Sequence, residues 1–275
     1  MAGFLIFMLG PMIYSIVISF TDWNAVGTPN FIGFQNYISL FQDSDFWTSL
    51  FNTVFYMIGI PIGIVLALLF ALALNRKIPG VRAFRTIFYI PCVSSAVAIS
   101  VLWQWIWNYD YGLVNSTLAF FHIQGPAWLT DVSTTKWALI IMMVWSGLGN
   151  SIVLFLAGLQ SVPKVYYEAA EIDGANAWSR LRHITIPLIS PITFYIIVTN
   201  LIGGFQLFTQ IIIIMGADGG TSYCAATTVM YLYKKAFTDF QMGYACSISW
   251  ILSIFIFIIT IAQFSFSNKW VNTEN

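Results

Sequence analysis

Neutral polar residues and glycines interrupt two apolar stretches of this sequence, and their types suit hydrogen bonding to a polyhydroxylated solute. They are Asn150, Ser151, Asn200, Gly203, Gly204, Gln206 and Gln210. Amides and hydroxyls can bond to the hydroxyl groups of a sugar, and the nearby rings of Trp145, Phe205 and Phe208 could stack against its ring face. The same residues also suit helix packing, in which small residues allow close approach and amides bond between helices. The pattern predicts either a solute path or a packed helix interface.

Charged residues concentrate in a second region, the segment SVPKVYYEAAEIDGANAWSRLRHITIPLISP over 161–191. Pro163 suits the first turn of a helix, because its missing N–H costs nothing there. The helix is predicted to run to Ile172 and to stop at Gly174, which supplies the left-handed backbone that a helix end favours. A second short helix is predicted to follow. The segment therefore reads as a helix–turn–helix between two apolar stretches.

Alanines and carboxylates give the first of these helices its surface. Ala169 and Ala170 leave a small, flat face, and Glu168, Glu171 and Asp173 flank it. A helix lying on lipid headgroups would instead present mainly basic residues on its polar face. The composition therefore favours a surface that fits a groove on another protein.

No catalytic or nucleotide-binding motif occurs in the sequence. The phosphate-binding pattern GxxxxGK[ST] is absent, so ATP-driven work would require a partner that binds ATP and Mg²⁺. His122 and His183 fall in loops predicted on opposite sides of a membrane, and Cys92, Cys224 and Cys246 are widely spaced. Neither set has the spacing of a metal site or a disulfide framework. We expect a chain that is not an enzyme and that holds no cofactor or metal of its own.

Composition places these residues in a membrane. The chain is 59% hydrophobic and 8% charged, whereas soluble domains carry about 25% charged residues. A helix needs about 20 apolar residues to cross the bilayer core, and a spanning segment must be helical to pair its backbone groups. Six stretches without Asp, Glu, Lys, Arg or His qualify, and they are 2–20, 50–75, 86–108, 137–160, 188–213 and 243–266. The segment 111–130 is predicted to lie outside the membrane as a short helix and loop.

The placement of basic residues predicts the orientation. Eight of the eleven Lys and Arg residues fall in loops on one side of a six-helix arrangement, and they are Arg76, Lys77, Arg82, Arg85, Lys164, Arg180, Arg182 and Lys269. Only Lys136, Lys234 and Lys235 fall on the other side. Cytoplasmic loops carry the Lys and Arg excess, so both chain ends are predicted to be cytoplasmic.

The segment 161–187 resembles the EAA loop of binding-protein-dependent ABC importer permeases. That pattern reads Glu-Ala-Ala, three residues, Gly, nine residues, Ile, one residue, Leu, Pro. The chain carries Glu168-Ala169-Ala170, Gly174, Ile184 and Pro187 at this spacing, with Ile186 in place of Leu. In the family this loop forms a coupling helix that docks in a cleft of the ATPase subunit. The resemblance implies that the docking residues are Glu168, Ala169, Ala170, Asp173 and Gly174.

The resemblance covers essentially the whole chain and points to the sugar-importer branch. The opening PMIYSIVISFTDWN and the stretch ALALNRKIPGVRAFRTIFYIPCVSSAVAISVLWQWIWNYDYGLVN look like the first of the two permeases that maltose- and glycerol-phosphate-type systems pair. It implies a single transmembrane domain over 1–275 with the type I ABC importer fold. Its implied partners are a second homologous permease, two ATPase subunits and an extracytoplasmic solute-binding protein. In this family the corresponding parts of the fourth and fifth spans line the translocation path, which favours the path interpretation of the residues from Asn150 to Gln210.

We therefore expect an all-α permease of a bacterial or archaeal cell (inner) membrane that passes a carbohydrate, specifically a neutral oligosaccharide, through the lipid bilayer. One alternative is the same fold serving a phosphorylated polyol or a peptide. An anionic solute calls for cationic groups in the path, and none is visible in the sequence. The other alternative is an ATP-independent secondary carrier or channel. It would require ion-coupling residues or internal repeats, and the sequence shows neither.

Overall fold

The computed structural model describes residues 2–76 and 80–271, so the basic residue Lys77 lies outside the described part of the chain. Within that part the chain is helical and contains no β-strand, and one isolated antiparallel bridge pairs Thr21 with Phe31. After an α-helical turn at Ala2–Phe4, the α-helices in chain order are α1 (Gly10–Ser19), α2 (Gln35–Gln42), α3 (Ser44–Tyr56), α4 (Gly59–Leu74), α5 (Val81–Val93), α6 (Ala96–Ile106), α7 (Leu113–Phe120), α8 (Val132–Ser161), α9 (Lys164–Ile172), α10 (Ala177–Arg180), α11 (Ile186–Leu188), α12 (Ser190–Phe205), α13 (Thr209–Met215), α14 (Thr228–Phe237) and α15 (Met242–Ser267). The predicted all-helical fold is confirmed, as is the short helix within 111–130.

Long apolar helices account for most of the predicted spans. Among the described residues, Ser44–Leu74, Val132–Ser161 and Met242–Ser267 are each long and apolar enough to cross a membrane. The count rises to five if two bent helix pairs are each one span. Leu5–Ser19, a π-helical turn continued by α1, is apolar but shorter. The predicted stretches are therefore all helical in large part, and several differ from the prediction at their ends.

The predicted span 86–108 is a bent pair of helices. The helices Ala83–Val93 and Ala96–Ile106 meet at an angle of 104°. Pro91 lies near the end of α5, and Ser94 adopts an extended backbone. The hydroxyl of Ser94 donates to the carbonyl of Ile90 at 2.8 Å, and the hydroxyl of Ser95 accepts from the N–H of Val97 at 3.3 Å. These two serines satisfy backbone groups that the break exposes, which is why it is tolerated in an apolar stretch.

The predicted span 188–213 is also interrupted. The helix α12 meets the preceding helical stretch, Ala177–Leu188, at 64° and ends at Phe205. The glycine pair Gly203–Gly204 remains helical, and the interruption starts at Gln206. The hydroxyl of Thr227 donates to the carbonyl of Leu207 at 2.6 Å and so satisfies one of the freed backbone groups.

Two compact units divide the chain. Unit 1 comprises the described residues up to Phe55 together with Gln104–Lys136 and Phe205–Ile258, and unit 2 comprises the remaining described residues. In unit 1 the side chains of Leu40, Phe46, Tyr231 and Ile248 form a buried cluster from α2, α3, α14 and α15. Burial of these side chains joins α2 and α3 to α14 and α15, which lie far away in the sequence.

Polar contacts add specificity to unit 1. The side-chain amide of Asn52 donates to the carbonyls of Tyr223 and Ala226 at 2.9 and 3.0 Å. The hydroxyl of Thr53 accepts from the N–H of Thr228 at 3.0 Å. All of these groups are buried or partly buried, so their pairing avoids the cost of desolvated polar atoms and sets how α3 meets the start of α14.

Unit 2 is built on α4, α8 and α12. Its buried core includes Ala71, Ile152, Phe155, Ile189 and Ile196, and aromatic and aliphatic side chains of α5 and α9 pack around it. This core lies next to the segment that carries the EAA pattern and anchors it, because Tyr167 and Leu188 are among the side chains packed against it.

Candidate functional site

The coupling segment, residues 161–187, begins with a well-defined helix. Pro163 has an extended backbone and caps α9, so it stands one residue before the helix rather than in its first turn. At the other end Gly174 has φ +77°, its N–H donates to the carbonyl of Glu171 at 3.1 Å, and the N–H of Ala175 donates to the carbonyl of Ala170 at 2.8 Å. These two hydrogen bonds define a Schellman motif. The predicted helix end at Ile172 and stop at Gly174 are confirmed.

A side-chain cap starts the second helix. The side-chain oxygen of Asn176 accepts from the N–H of Ser179 at 2.8 Å and caps α10. The sequence analysis predicted a second short helix but missed this cap, although Asn is among the favoured residues at that position. A π-helical turn, Leu181–Thr185, then leads into α11.

One side of α9 is held to the rest of unit 2. The hydroxyls of Tyr167 and Thr185 lie 2.9 Å apart and share a hydrogen bond. An ion pair joins Arg180 to Glu171 at 3.6 Å, and because Glu171 is well exposed it adds little stability. The ring of Tyr167, packed against the core, is therefore the main attachment of α9.

The opposite side of α9 is exposed. Glu168 and Ala169 are exposed, as are Val165, at 61%, and Ile172, at 87%. Residues at spacings of three and four share a helix face, so these four side chains form one surface. We call this surface the docking face. Asp173 and Gly174, which the sequence analysis also assigned to the contact, are exposed at its end, whereas Ala170 is half-buried.

The predicted path residues are distributed over both units. Asn150 and Ser151 lie on α8, and Asn200, Gly203 and Gly204 lie on α12, all in unit 2. Gln206 and Gln210 belong to unit 1. Asn150 and Gln206 are exposed, Asn200 and Gln210 are half-buried, and Ser151 is buried.

The glycines on α8 and α12 differ in what surrounds them. A methyl group at Gly204 would meet the sulfur of Met57 at 2.8 Å, and one at Gly149 would overlap the carbonyl oxygen of Phe88. Gly203 has no atom within 4 Å of the corresponding position. Gly149 and Gly204 are thus packing positions at which helices approach closely, while Gly203 faces open space.

Four amide side chains in these apolar helices lack a protein partner. Asn150, Asn200, Gln206 and Gln210 make no side-chain hydrogen bond with another residue in 2–76 or 80–271. An amide in an apolar environment needs a hydrogen-bonding partner, and water or a solute could supply one for each of these four side chains.

Metal chemistry finds no support in the described residues. They contain no group of three or more His, Cys, Asp or Glu side chains that could hold a metal ion. His122 follows α7 with a left-handed backbone, φ +59°, and His183 lies in the π-helical turn of the coupling segment.

The family profile described as "Binding-protein-dependent transport system inner membrane component" matches residues 59–272. The chain belongs to this family. The matched range contains the coupling segment and most of unit 2. A multi-pass membrane protein is therefore established by both the family and the apolar helices.

Three relatives of this inner membrane component match over nearly their full lengths. The "Probable ABC transporter permease protein YesP" of Bacillus subtilis is 36% identical over 99% of this chain and 89% of its own. The lactose transport system permease protein LacF of Rhizobium radiobacter is 34% identical over 94% and 88%. The arabinooligosaccharides transport system permease protein AraP of Bacillus subtilis is 32% identical over 98% and 86%.

Solved structures place the inner membrane component in the same fold as ABC transporter subunits. One, a bacterial alginate ABC transporter in complex with an alginate pentasaccharide-bound periplasmic protein, contains a chain that superposes with a TM-score of 0.86 and 23% identity over 99% of this chain and 92% of that one. Identity at this level supports the fold, and the ABC permease fold expected from the sequence is confirmed to that extent.

One feature of this family member had no counterpart in the sequence analysis. A cleft in unit 1 is lined by residues from three separate segments, 104–110, 127–130 and 214–221. The only signal in the sequence was the set of aromatic rings at the end of α6, which reads equally well as a membrane-interface belt. Its lining is considered below.

Proposed function

We propose that the chain is one permease subunit of an ATP-driven importer and that it translocates a neutral oligosaccharide delivered by an extracytoplasmic solute-binding protein. The names of relatives support the solute class, since LacF and AraP are named for lactose and for arabinooligosaccharides. The observation that carries the proposal is the docking face of α9. In this proposal the chain binds no ATP, and two ATPase partners supply ATP and Mg²⁺ while a second homologous permease completes the membrane part.

The docking face has the composition of a protein contact. Ile172 and Val165 expose large apolar side chains outside the apolar helices, where solvent contact is unfavourable. Ala169 between them leaves the helix surface flat, and Glu168 adds a charge at its edge. Such a ridge fits an apolar groove on an ATPase subunit, with Asp173 and Gly174 at the end of the contact.

Rigid attachment would let α9 transmit a displacement of the ATPase subunits to the membrane helices. The Schellman motif at Gly174 fixes the turn to α10, and Tyr167 ties α9 to Thr185 ahead of α11. In the proposed cycle, ATP binding closes the ATPase pair and displaces α9. The displacement then reaches α12, and the membrane helices turn outward to receive the solute. Hydrolysis restores the inward-facing state.

Six spans are proposed from the apolar segments. They are Leu5–Ser19, the three long apolar helices, and the two bent pairs counted as one span each. With that topology the loops that contain Arg76 and Lys164 share one side of the membrane with the ends of the two bent-pair spans that carry Arg85 and Arg180. The positive-inside rule makes that side cytoplasmic, together with both chain ends.

The solute path is proposed to include one amide each from α8, α12, α13 and the turn between α12 and α13. Asn150, Asn200, Gln206 and Gln210 offer neutral donors and acceptors without charge, which suits hydroxyl groups. Gly203 faces open space and can line the path. Gly204 packs against Met57 and is proposed to shape the helix contact rather than to meet the solute.

The docking face is tested by charge reversal at Glu168. The complete importer is reconstituted in proteoliposomes, and ATP-dependent uptake of labelled neutral oligosaccharides is measured together with ATPase activity. Glu168→Lys is expected to abolish uptake, because it places a cation at the edge of the docked surface. Glu171→Lys is the matched control, since Glu171 lies on the same helix but off the docking face, and it is expected to retain most uptake.

The two variants separate the possible outcomes. Loss of uptake by Glu168→Lys, with the membrane subunits still assembled and Glu171→Lys active, supports the docking face. Uptake that continues without the ATPase subunits, or that both variants leave unchanged, would contradict the proposed coupling and reopen the secondary-carrier alternative.

A further inference from the structure

We infer that unit 1 carries a separate subsite for a neutral saccharide, in the cleft formed by 104–110, 127–130 and 214–221. The inference rests on the proposed function, which supplies the saccharide. The cleft encloses about 380 Å³, within the roughly 300–1,000 Å³ typical of small-molecule sites. Its residues are distinct from the proposed path residues on α8, α12 and α13.

The wall of the cleft is held rigid by one buried side chain. The side-chain oxygen of Asn115, on α7, accepts from the indole N–H of Trp128 at 2.7 Å, and its amide donates to the carbonyls of Tyr109 and Pro126 at 3.1 and 3.2 Å. A methyl group at Gly125 would overlap that side-chain oxygen, so only glycine fits there. Three bonds from one buried amide join both sides of the loop, which preorganises the cleft.

A second local structure fixes the segment that contains Tyr109. The side-chain oxygen of Asn108 accepts from the N–H groups of Asp110 and Tyr111 at 2.9 and 3.2 Å, which folds the chain into a turn directly after α6. The ring centroids of Trp107 and Trp128 lie 4.8 Å apart. Trp107 is buried, whereas Trp128 is half-buried and offers ring surface to the cleft.

The polar side chains that line the cleft beside the indole ring of Trp128 suit hydrogen bonding to sugar hydroxyls. Gln104, Asp110 and Thr221 line the cleft, and none of their side chains hydrogen-bonds to another described residue. An amide, a carboxylate and a hydroxyl beside an indole ring combine an apolar platform with donors and acceptors. That combination matches a pyranose or furanose, which has an apolar face and a rim of hydroxyl groups.

The charge of Asp110 restricts the kind of saccharide that the cleft can bind. Asp110 is the only charged residue among the described residues that line it. A carboxylate accepts hydrogen bonds from sugar hydroxyls but repels the carboxylates of an acidic sugar. The subsite therefore selects neutral saccharides over uronates.

Thiol protection tests the subsite directly. In the assembled importer, in lipid nanodiscs without the binding protein, Cys92, Cys224 and Cys246 are replaced by Ala, and Thr221→Cys places one thiol in the cleft. Lactose and an arabino-oligosaccharide are the neutral probes, and digalacturonate is the acidic probe. We expect a neutral probe to slow maleimide labelling at position 221 about fivefold or more, and digalacturonate to have little effect. Thr117→Cys, on exposed α7 and outside the cleft lining, is the matched control and should stay within twofold.

Lining variants then assign the protection to the cleft. Gln104→Met removes one exposed amide of similar size and should raise the half-protecting concentration about three- to tenfold. Asp110→Asn should weaken protection by neutral probes and strengthen protection by digalacturonate. Neither side chain supports the fold of the loop, so both variants should assemble normally.

The outcomes distinguish the subsite from the importer function. If the wild-type complex imports a neutral probe with ATP but labelling at position 221 does not change, the subsite is wrong and the proposed function stands. In a separate sample to which the binding protein is added without saccharide, protection at position 221 would overturn the inference in favour of a partner side chain. Protection without any ATP-dependent import would retain the subsite and contradict the proposed function.

Discussion

Replacing Asp43 with asparagine tests which interaction holds unit 1 together at its centre. Asp43 lies between α2 and α3. One of its carboxylate oxygens accepts from the hydroxyls of Tyr231 and of Tyr244, the latter at 2.5 Å. The other oxygen accepts from the backbone N–H groups of Asp45 and Phe46 at 3.0 and 3.4 Å. One carboxylate therefore links the start of α3 to α14 and α15.

The expected loss of stability depends on which hydrogen bonds of Asp43 an asparagine side chain can still make. In Asp43→Asn the new side chain would keep an oxygen for the two backbone donors, but its NH₂ group cannot accept from the two tyrosine hydroxyls. A hydrogen bond to a charged group contributes about 1.5–3 kcal/mol, and hydroxyls can partly re-pair with the amide. Because Asp43 is only partly buried, we expect Asp43→Asn to lower the free energy of unfolding by about 2–3 kcal/mol. Tyr231→Phe, which removes one of the two bonds, should cost about 1 kcal/mol.

Thermal unfolding can be followed through labelling of a buried native cysteine, Cys224. Cys224 is 6% exposed in unit 1, so with Cys92 and Cys246 replaced by Ala in every variant a thiol-reactive dye added to the purified protein reports the exposure of Cys224 on heating. At roughly 2–4 °C per kcal/mol for a chain of this size, Asp43→Asn should lower Tm by about 5–10 °C. Asp45→Asn is the matched control, because the Asp45 side chain is exposed and makes no hydrogen bond with another described residue. It should shift Tm by about 2 °C or less.

The pH dependence of Tm adds an independent check. Burial raises the pKa of the Asp43 carboxyl, but the hydrogen bonds from Tyr231, Tyr244 and the two N–H groups outweigh it and hold the pKa below its usual value. A lowered pKa in the folded state gives stability that is complete above the unfolded value, about 3.9, and is lost as the pH falls below it. This carboxyl should therefore contribute no slope to the dependence of Tm on pH between about pH 5 and 8.

An unfolding temperature of Asp43→Asn within about 1 °C of wild type would refute the reasoning.

Two further predictions concern glycines. Gly149→Ala should destabilise the protein by about 1–3 kcal/mol in the same thermal assay, because its methyl group overlaps the backbone of Phe88, whereas Gly203→Ala should be neutral or slightly stabilising. Equal effects of the two would show that the close approach at Gly149 is relaxed in the membrane. Gly174→Val should reduce coupling of ATP hydrolysis to uptake, since a β-branched residue at φ +77° strains the Schellman turn, while Gly174→Asn should retain it. Uptake by the valine variant at the wild-type rate would contradict a rigid turn.

Short-range rules explain which features were predictable. The helix from Lys164 to Ile172 and its stop at Gly174 depend on residues a few positions apart, and both match the prediction. The breaks in two predicted spans were missed because hydropathy measures only whether a segment prefers lipid. Whether the helix continues there depends on partners for the freed backbone groups, such as the Ser94 and Ser95 hydroxyls and Thr227.

The amino-acid sequence alone determined that the protein lies in a membrane, how far its apolar segments extend and where the segment 161–187 falls. Each of these follows from composition or local spacing. Tertiary structure decided the rest. Gly203 and Gly204 are adjacent and chemically identical, yet one faces open space and the other meets Met57 from a helix far away in sequence. The saccharide cleft and the Asp43 network likewise join residues that are far apart in the chain, such as Asp43 and Tyr231. Such contacts exist only after folding brings distant helices together, and no local pattern encodes them.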